Sequence, residues 1–142
     1  MSGITHLETL LKSMSPELKA GDFVFCTLPG SLADYVSLSP LASFIEAEGL
    51  TLILDAATAA AHGLPASPPY RQITLNVHSS LEAVGLTAAF ATTLTQHGIS
   101  ANVVAGYYHD HIFVPTAKAE LALAALQALS QCDSPQENGW ST

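Results

Sequence analysis

Charge is scarce in this chain. Only 11% of its 142 residues are Asp, Glu, Lys or Arg, while 49% are apolar. Soluble domains ordinarily carry about a quarter charged residues. Some apolar surface is therefore expected to be covered by a second copy of the chain, giving a homodimer. Basic residues are scarcest of all. Lys12, Lys19, Arg71 and Lys118 stand against twelve acidic residues, for a formal charge of −8. Neutralising phosphates requires clustered positive charge, so nucleic acid is excluded as a partner. An anionic membrane surface is excluded on the same ground.

Cysteine is almost absent. Cys26 sits within the apolar run FVFCTL and reads as a small buried hydrophobe. Cys132 is the other. Without a cysteine pattern or an N-terminal signal sequence, a reducing cytoplasm is the expected compartment. Residues 83–108 contain no charged side chain, yet Thr87, Thr92, Thr93, Gln96, His97, Gly98 and Asn102 interrupt them. A membrane span needs about 20 predominantly apolar residues, so a buried helix followed by a buried strand is expected instead. There is no G-x-S-x-G elbow, G-x-G-x-x-G fingerprint or phosphate loop. No catalytic residue and no cofactor are expected.

What is present is a regular alternation of elements. Ile4, Leu7, Leu10, Leu11 and Met14 share a helical face, and Ser15-Pro16 ends that helix. FVFCTL (23–28) reads as a strand. Residues 31–40 are Ser-rich and irregular, with room for one short helical turn. ASFIEAEGLTLIL (42–54) reads as two strands around a turn at Glu48-Gly49. Asp55 caps a short alanine helix closed by Gly63. SPPY (67–70) reads as a linker. Beyond it come a strand (71–78), a helix (79–98), strands at 99–107 and 111–115, and a helix (117–131) with Leu121, Ala124, Ala125 and Leu129 on its apolar side.

The second half therefore runs β-α-β-β-α, one strand short of a ferredoxin-like βαββαβ unit. The first runs α-β-β-β-α, with ten residues in place of a crossover helix. The expected fold is α+β: two related halves, antiparallel sheets, helices on one side. Residues 1–70 form one half, 71–132 the other, and 133–142 a polar tail. FVFCTL is a candidate for the missing strand.

The second half resembles an ACT domain. Val84-Gly85-Leu86 stands where ACT modules carry a Pro-Gly-Leu turn, and Asn102 stands where their second strand has an Ile-Asn-Ile pattern. EAEGLTLIL (46–54), ITLNVHSSLEAVGLTAAF (73–90) and ISANVVAGYYHDHIFVP (99–115) resemble an uncharacterised bacterial family of tandem ACT-like proteins. They cover about a third of the chain. The resemblance implies a small-molecule sensor, with an amino acid as ligand, rather than a reaction.

Under that reading the ligand carboxylate would meet backbone N–H groups near Ala83 to Leu86. Val84, Gly85, Leu86 and Asn102 form the expected site, with His78 and His111 as polar neighbours. Ser79 and Glu82 have capping-box spacing, which would place Gly85 in a second helical turn instead. Glu46 and Glu48 flank a turn and read as solvated. His109-Asp110-His111 is expected at a polar hairpin tip. His109, His111 and His78 raise a rival reading, a metal-dependent enzyme. A plain dimerising interaction module is the third class.

Overall fold

The computed structural model describes residue 9, residues 11–76 and residues 84–131. Among these, seven strands join in one sheet of order β3-β4-β2-β5-β7-β6, with β1 also paired to β5. The strands are β1 (Glu17–Leu18), β2 (Phe23–Leu28), β3 (Ala42–Glu46), β4 (Gly49–Asp55), β5 (Tyr70–Asn76), β6 (Asn102–Ala105) and β7 (His109–Pro115). The helices are α1 (Ala56–Ala61), α2 (Val84–Gln96) and α3 (Ala119–Ser130). All strand pairings are antiparallel.

The apolar alternation of each strand fixes which face is covered. Val24, Cys26, Leu28, Leu50, Leu52 and Leu54 pack with Ala59 of α1 in a first core. Ile73, Leu75, Ile112 and Val114 pack with Leu86, Phe90 and Leu94 of α2 and with Ala119, Ala122 and Leu126 of α3 in a second. Both cores lie on the helical side of the sheet, as the alternating side-chain directions of strands require. Cys26 is buried in the first core, and burial pushes its thiol pKa up.

Two ferredoxin-type orders overlap in this sheet. The first half reads β3-β4-β2-β5 and the second β6-β7-β5-β1. Strand β5 is common to both. The segment ahead of β2 thus supplies the fourth strand of the second half, with Glu17 opposite Thr74 and Leu18 opposite Ile73. Leu11 and Met14, just before it, are buried in the second core. The chain leaves β5 where Gly21 takes a φ of +96°, a conformation that glycine adopts without strain. FVFCTL meets β5 only where Phe23 faces Tyr70. Most of the missing strand therefore comes from Glu17–Leu18, which is too short to show a sequence period.

A 3-10 helix, Leu32–Leu38, fills the place of the first crossover helix, and Tyr35 and Leu38 pack against the first core. The 67–70 stretch is pinned rather than loose. Ser67 N–H donates to the Phe25 carbonyl, and its Oγ accepts from Phe25 N–H at 2.9 Å. Asp55 caps α1, as expected, by accepting from Ala57 N–H at 2.9 Å. The hairpin at 42–54 also forms, with Glu46 opposite Gly49.

Two expectations are corrected. Helix α3 buries Ala119, Ala122, Ala125, Leu126 and Ser130, whereas Leu121 is 47% exposed. The helix is apolar nearly all round, and its alanine stripe permits the closest approach to the sheet. The hairpin turn between β6 and β7 is at Gly106–Tyr108, not at the histidines. Gly106 N–H donates to the His109 carbonyl at 2.8 Å, so His109 already lies within β7.

Candidate functional site

Strand parity places His109, His111 and Phe113 on the face of β7 away from the helices, opposite Asn76, Thr74 and Gln72 of β5. Asn102 and Val104 share that open face, opposite Phe113 and His111. Phe23, Phe25, Tyr70 and Phe113 form an edge-to-face aromatic cluster there, with ring centroids 5.4–6.1 Å apart. Such pairs add roughly 0.5–1.5 kcal/mol each beyond simple burial. The cluster covers Phe113 almost completely.

Beside the aromatics lies a polar centre. Gln72 and Thr74 are only 8% and 9% exposed. Gln72 Nε2 lies 3.2 Å from Thr74 Oγ1 and 3.1 Å from His111 Nδ1. Thr74 Oγ1 is also 3.1 Å from that nitrogen. A buried polar group is costly unless it is bonded, so the three side chains satisfy one another. Burial is the main cause that lowers the His111 pKa below 6.5; His109 and Lys19 act in the same direction, and Asp110 opposes them. Burial raises the Asp110 pKa above 3.8, against the pull of His111.

Gly106 permits the hairpin to close over this centre. A Cβ there would stand 3.0 Å from the His109 carbonyl oxygen and 3.1 Å from His111 Nε2. Tyr107 and Tyr108, at the tip, stack at 4.9 Å and are 93% and 68% exposed.

The expected ligand residues are divided between the two sides of the sheet. Val84 and Gly85 are the first residues of α2 as described, and Gly85 is exposed. Leu86 is buried in the second core, so only its backbone is open to a ligand. Asn102 is exposed on the edge strand β6, and His111 is half-buried on the open face. His78, and the capping-box pair Ser79 and Glu82, lie outside the described residues. His109 and His111 do share a face, with ring centroids 6.2 Å apart. Among the described residues, however, no three His, Cys, Asp or Glu side chains gather as a metal site. The Gln72–Thr74 pair escaped sequence reading. Its signal is two polar residues at alternate positions of an otherwise apolar strand.

The ACT domain matches this sequence twice, over residues 2–71 and again over residues 67–128. The chain belongs to the ACT-domain family. A crystal structure of a Vibrio cholerae protein of unknown function, described as a possible transport protein, is 64% identical. It covers 91% of this chain and 99% of its own, with a TM-score of 0.85. An Agrobacterium tumefaciens protein is similar in fold at 14% identity, covering 81% of this chain and 87% of its own, with a TM-score of 0.68. The ligand-free regulatory subunit of aspartate kinase from Thermus thermophilus is similar at 11% identity, with coverages of 84% and 99% and a TM-score of 0.63. No curated protein matches the sequence. The α+β fold expected from the sequence, two ACT units on an antiparallel sheet with helices to one side, is therefore the fold of this tandem ACT protein. No helix among the described residues is long and apolar enough to cross a membrane.

Proposed function

We propose that this tandem ACT protein is a non-catalytic regulator that binds a small molecule, with an amino acid as the expected class. Residues 1–70 and 71–132 would be its two units, and 133–142 a tail. The observation that carries the reading is the pairing of two ACT units with a solvent-open glycine at the start of α2 and a solvent-open amide, Asn102, on the edge strand that follows. Helix N-terminal N–H groups suit a carboxylate, and an Asn side chain offers both a donor and an acceptor. The shared fold of aspartate kinase regulatory subunits supports the regulatory role by analogy only. Val84 and Leu86 would contribute backbone, and His78 and His111 polar surroundings. The protein would act in the cytoplasm on a separate partner.

A second copy of the chain is the proposed protein partner. Edge strand β3 supports it, because Phe44 and Ile45 are 70% and 85% exposed on opposite faces. The same surface favours the rival reading, an interaction module without a ligand.

Calorimetric titration of wild type, Gly85→Ala and Asn102→Ala with amino acids tests the proposal. One amino acid should bind the wild type, and each substitution should weaken it about tenfold or more, which is about 1.4 kcal/mol. Gly85→Ala should meanwhile stabilise the fold by up to about 1 kcal/mol, since Ala outranks Gly in an exposed helix. Undiminished binding by both variants would remove these residues from the site.

A further inference from the structure

The polar centre of the open face has a property that amino-acid binding does not use. The Gln72 amide carries two N–H donors, one aimed at Thr74 Oγ1 and the other at His111 Nδ1. An imidazole nitrogen that receives a donor must present its lone pair. The neutral ring then carries its proton on Nε2, the atom facing Gly106. A second proton can join only at Nδ1. That would set an Nδ1–H against the Gln72 N–H, two donors 3.1 Å apart. The conflict is relieved when the Gln72 amide turns over and offers its oxygen to the new N–H. Thr74 Oγ1 can accept or donate and so serves both arrangements.

We propose that Gln72, Thr74 and His111 form a proton-operated switch on the open face, in which protonation of His111 at Nδ1 inverts the Gln72 amide between β5 and β7. The ligand of this switch is a solvent proton. The proton adds to the Nδ1 lone pair, no other bond changes, and the centre gains one positive charge.

The charged and titratable groups around the ring set the direction of its response. His109 lies on the same face of β7, and Asp110 is adjacent in sequence on the opposite face. Glu17, opposite Thr74, and Lys19, which follows on the same edge, flank the centre from β1 and form a 3.3 Å ion pair with each other. Strand β5 contributes only uncharged Gln72, Thr74 and Asn76 on this face, and β6 contributes Asn102 and Val104. Lys19 and His109 oppose a charge on His111, while Asp110 favours one. Burial of the neighbouring Gln72 and Thr74 ties the ring's charge to their hydrogen bonds rather than to water.

Side-chain nitrogen NMR of the full chain across about pH 5–8, the range in which histidine titrates, tests the proposal. His111 should show the Nε2–H form at neutral pH, and the Gln72 side-chain amide signals should move with the His111 midpoint. Gln72→Glu replaces the donor by an anionic acceptor and should raise that midpoint by about one unit or more. Gln72→Met removes the donor, so the neutral ring should redistribute toward Nδ1–H bonded to Thr74. Wild-type His111 in the Nδ1–H form would overturn the proposal, and so would Gln72 signals that ignore the titration. The wild-type measurements decide the matter even if a variant fails to fold.

Discussion

Phe23 faces Tyr70 at the single register where β2 meets β5, and this contact is where the chain passes from one ACT unit to the other. Upstream of it, Glu17 and Leu18 pair with β5. Downstream, β2 pairs along its whole length with β4. Asp22, immediately before Phe23, fastens both units. Its carbonyl accepts from Ala56 N–H, and its Oδ1 accepts from the Thr116 hydroxyl at 3.0 Å.

The N-terminal segment should therefore stabilise the second unit rather than the first. Met14 is fully buried among second-core residues. Met14→Ala is expected to cost about 2–5 kcal/mol in denaturant unfolding. Native-state hydrogen exchange should place the loss first in β5 and β7. Faster exchange confined to β3 and β4 would contradict the assignment.

Gly106→Ala should destabilise by about 1–3 kcal/mol, the usual cost of overpacking. The added methyl would press on the His109 carbonyl oxygen and on His111 Nε2. Thermal unfolding reads the stability, and the His111 ring signals should shift in the same variant.

The pH dependence of stability has a defined sign. The His111 pKa is lowered in the folded state, so below its ordinary 6.5 the unfolded chain binds more protons. Stability should fall as pH drops through 6.5, until the lowered folded value is passed. The Asp110 pKa is raised, so its contribution runs the other way. It costs stability as pH rises from 3.8 through the raised folded value. His111→Asn keeps an acceptor near the Nδ1 position and should flatten the loss below pH 6.5. Urea unfolding across pH measures both slopes.

The strands and the Asp55 helix cap were readable because each carries a local period or cap. FVFCTL alternates Val24, Cys26 and Leu28 inward, and the ACT resemblance supplied the order of elements. Other features depend on contacts distant in sequence. Two-residue strand β1 has no period of its own and exists because β5 has an open edge. Helix α3 is so uniformly apolar that its buried side is decided by the fit of its alanines. The Gln72–Thr74–His111 centre joins residues nearly forty positions apart. Its histidine was visible in the sequence, but its partners were not. Gly106, rather than the His-Asp-His run, marks the turn, because only there does the backbone of the hairpin close on itself.

Strand β3 should mediate self-association. Ile45→Lys places a charge on an exposed edge, a common device against strand pairing. It should yield a monomer in analytical ultracentrifugation with stability unchanged to within about 0.5 kcal/mol. A dimer that persists in both Ile45→Lys and Phe44→Asp would move the contact elsewhere.

Ligand binding is the central claim, and a thermal-shift series of the full chain with each of the twenty amino acids tests it most directly. A ligand at about 100 times its dissociation constant stabilises by about 2.7 kcal/mol, or roughly 5–10 °C in a chain of this size. The account predicts such a shift for one amino acid, or a few of similar chemistry, and its loss in Gly85→Ala. Unchanged melting with all twenty would contradict the amino-acid reading and favour an interaction module.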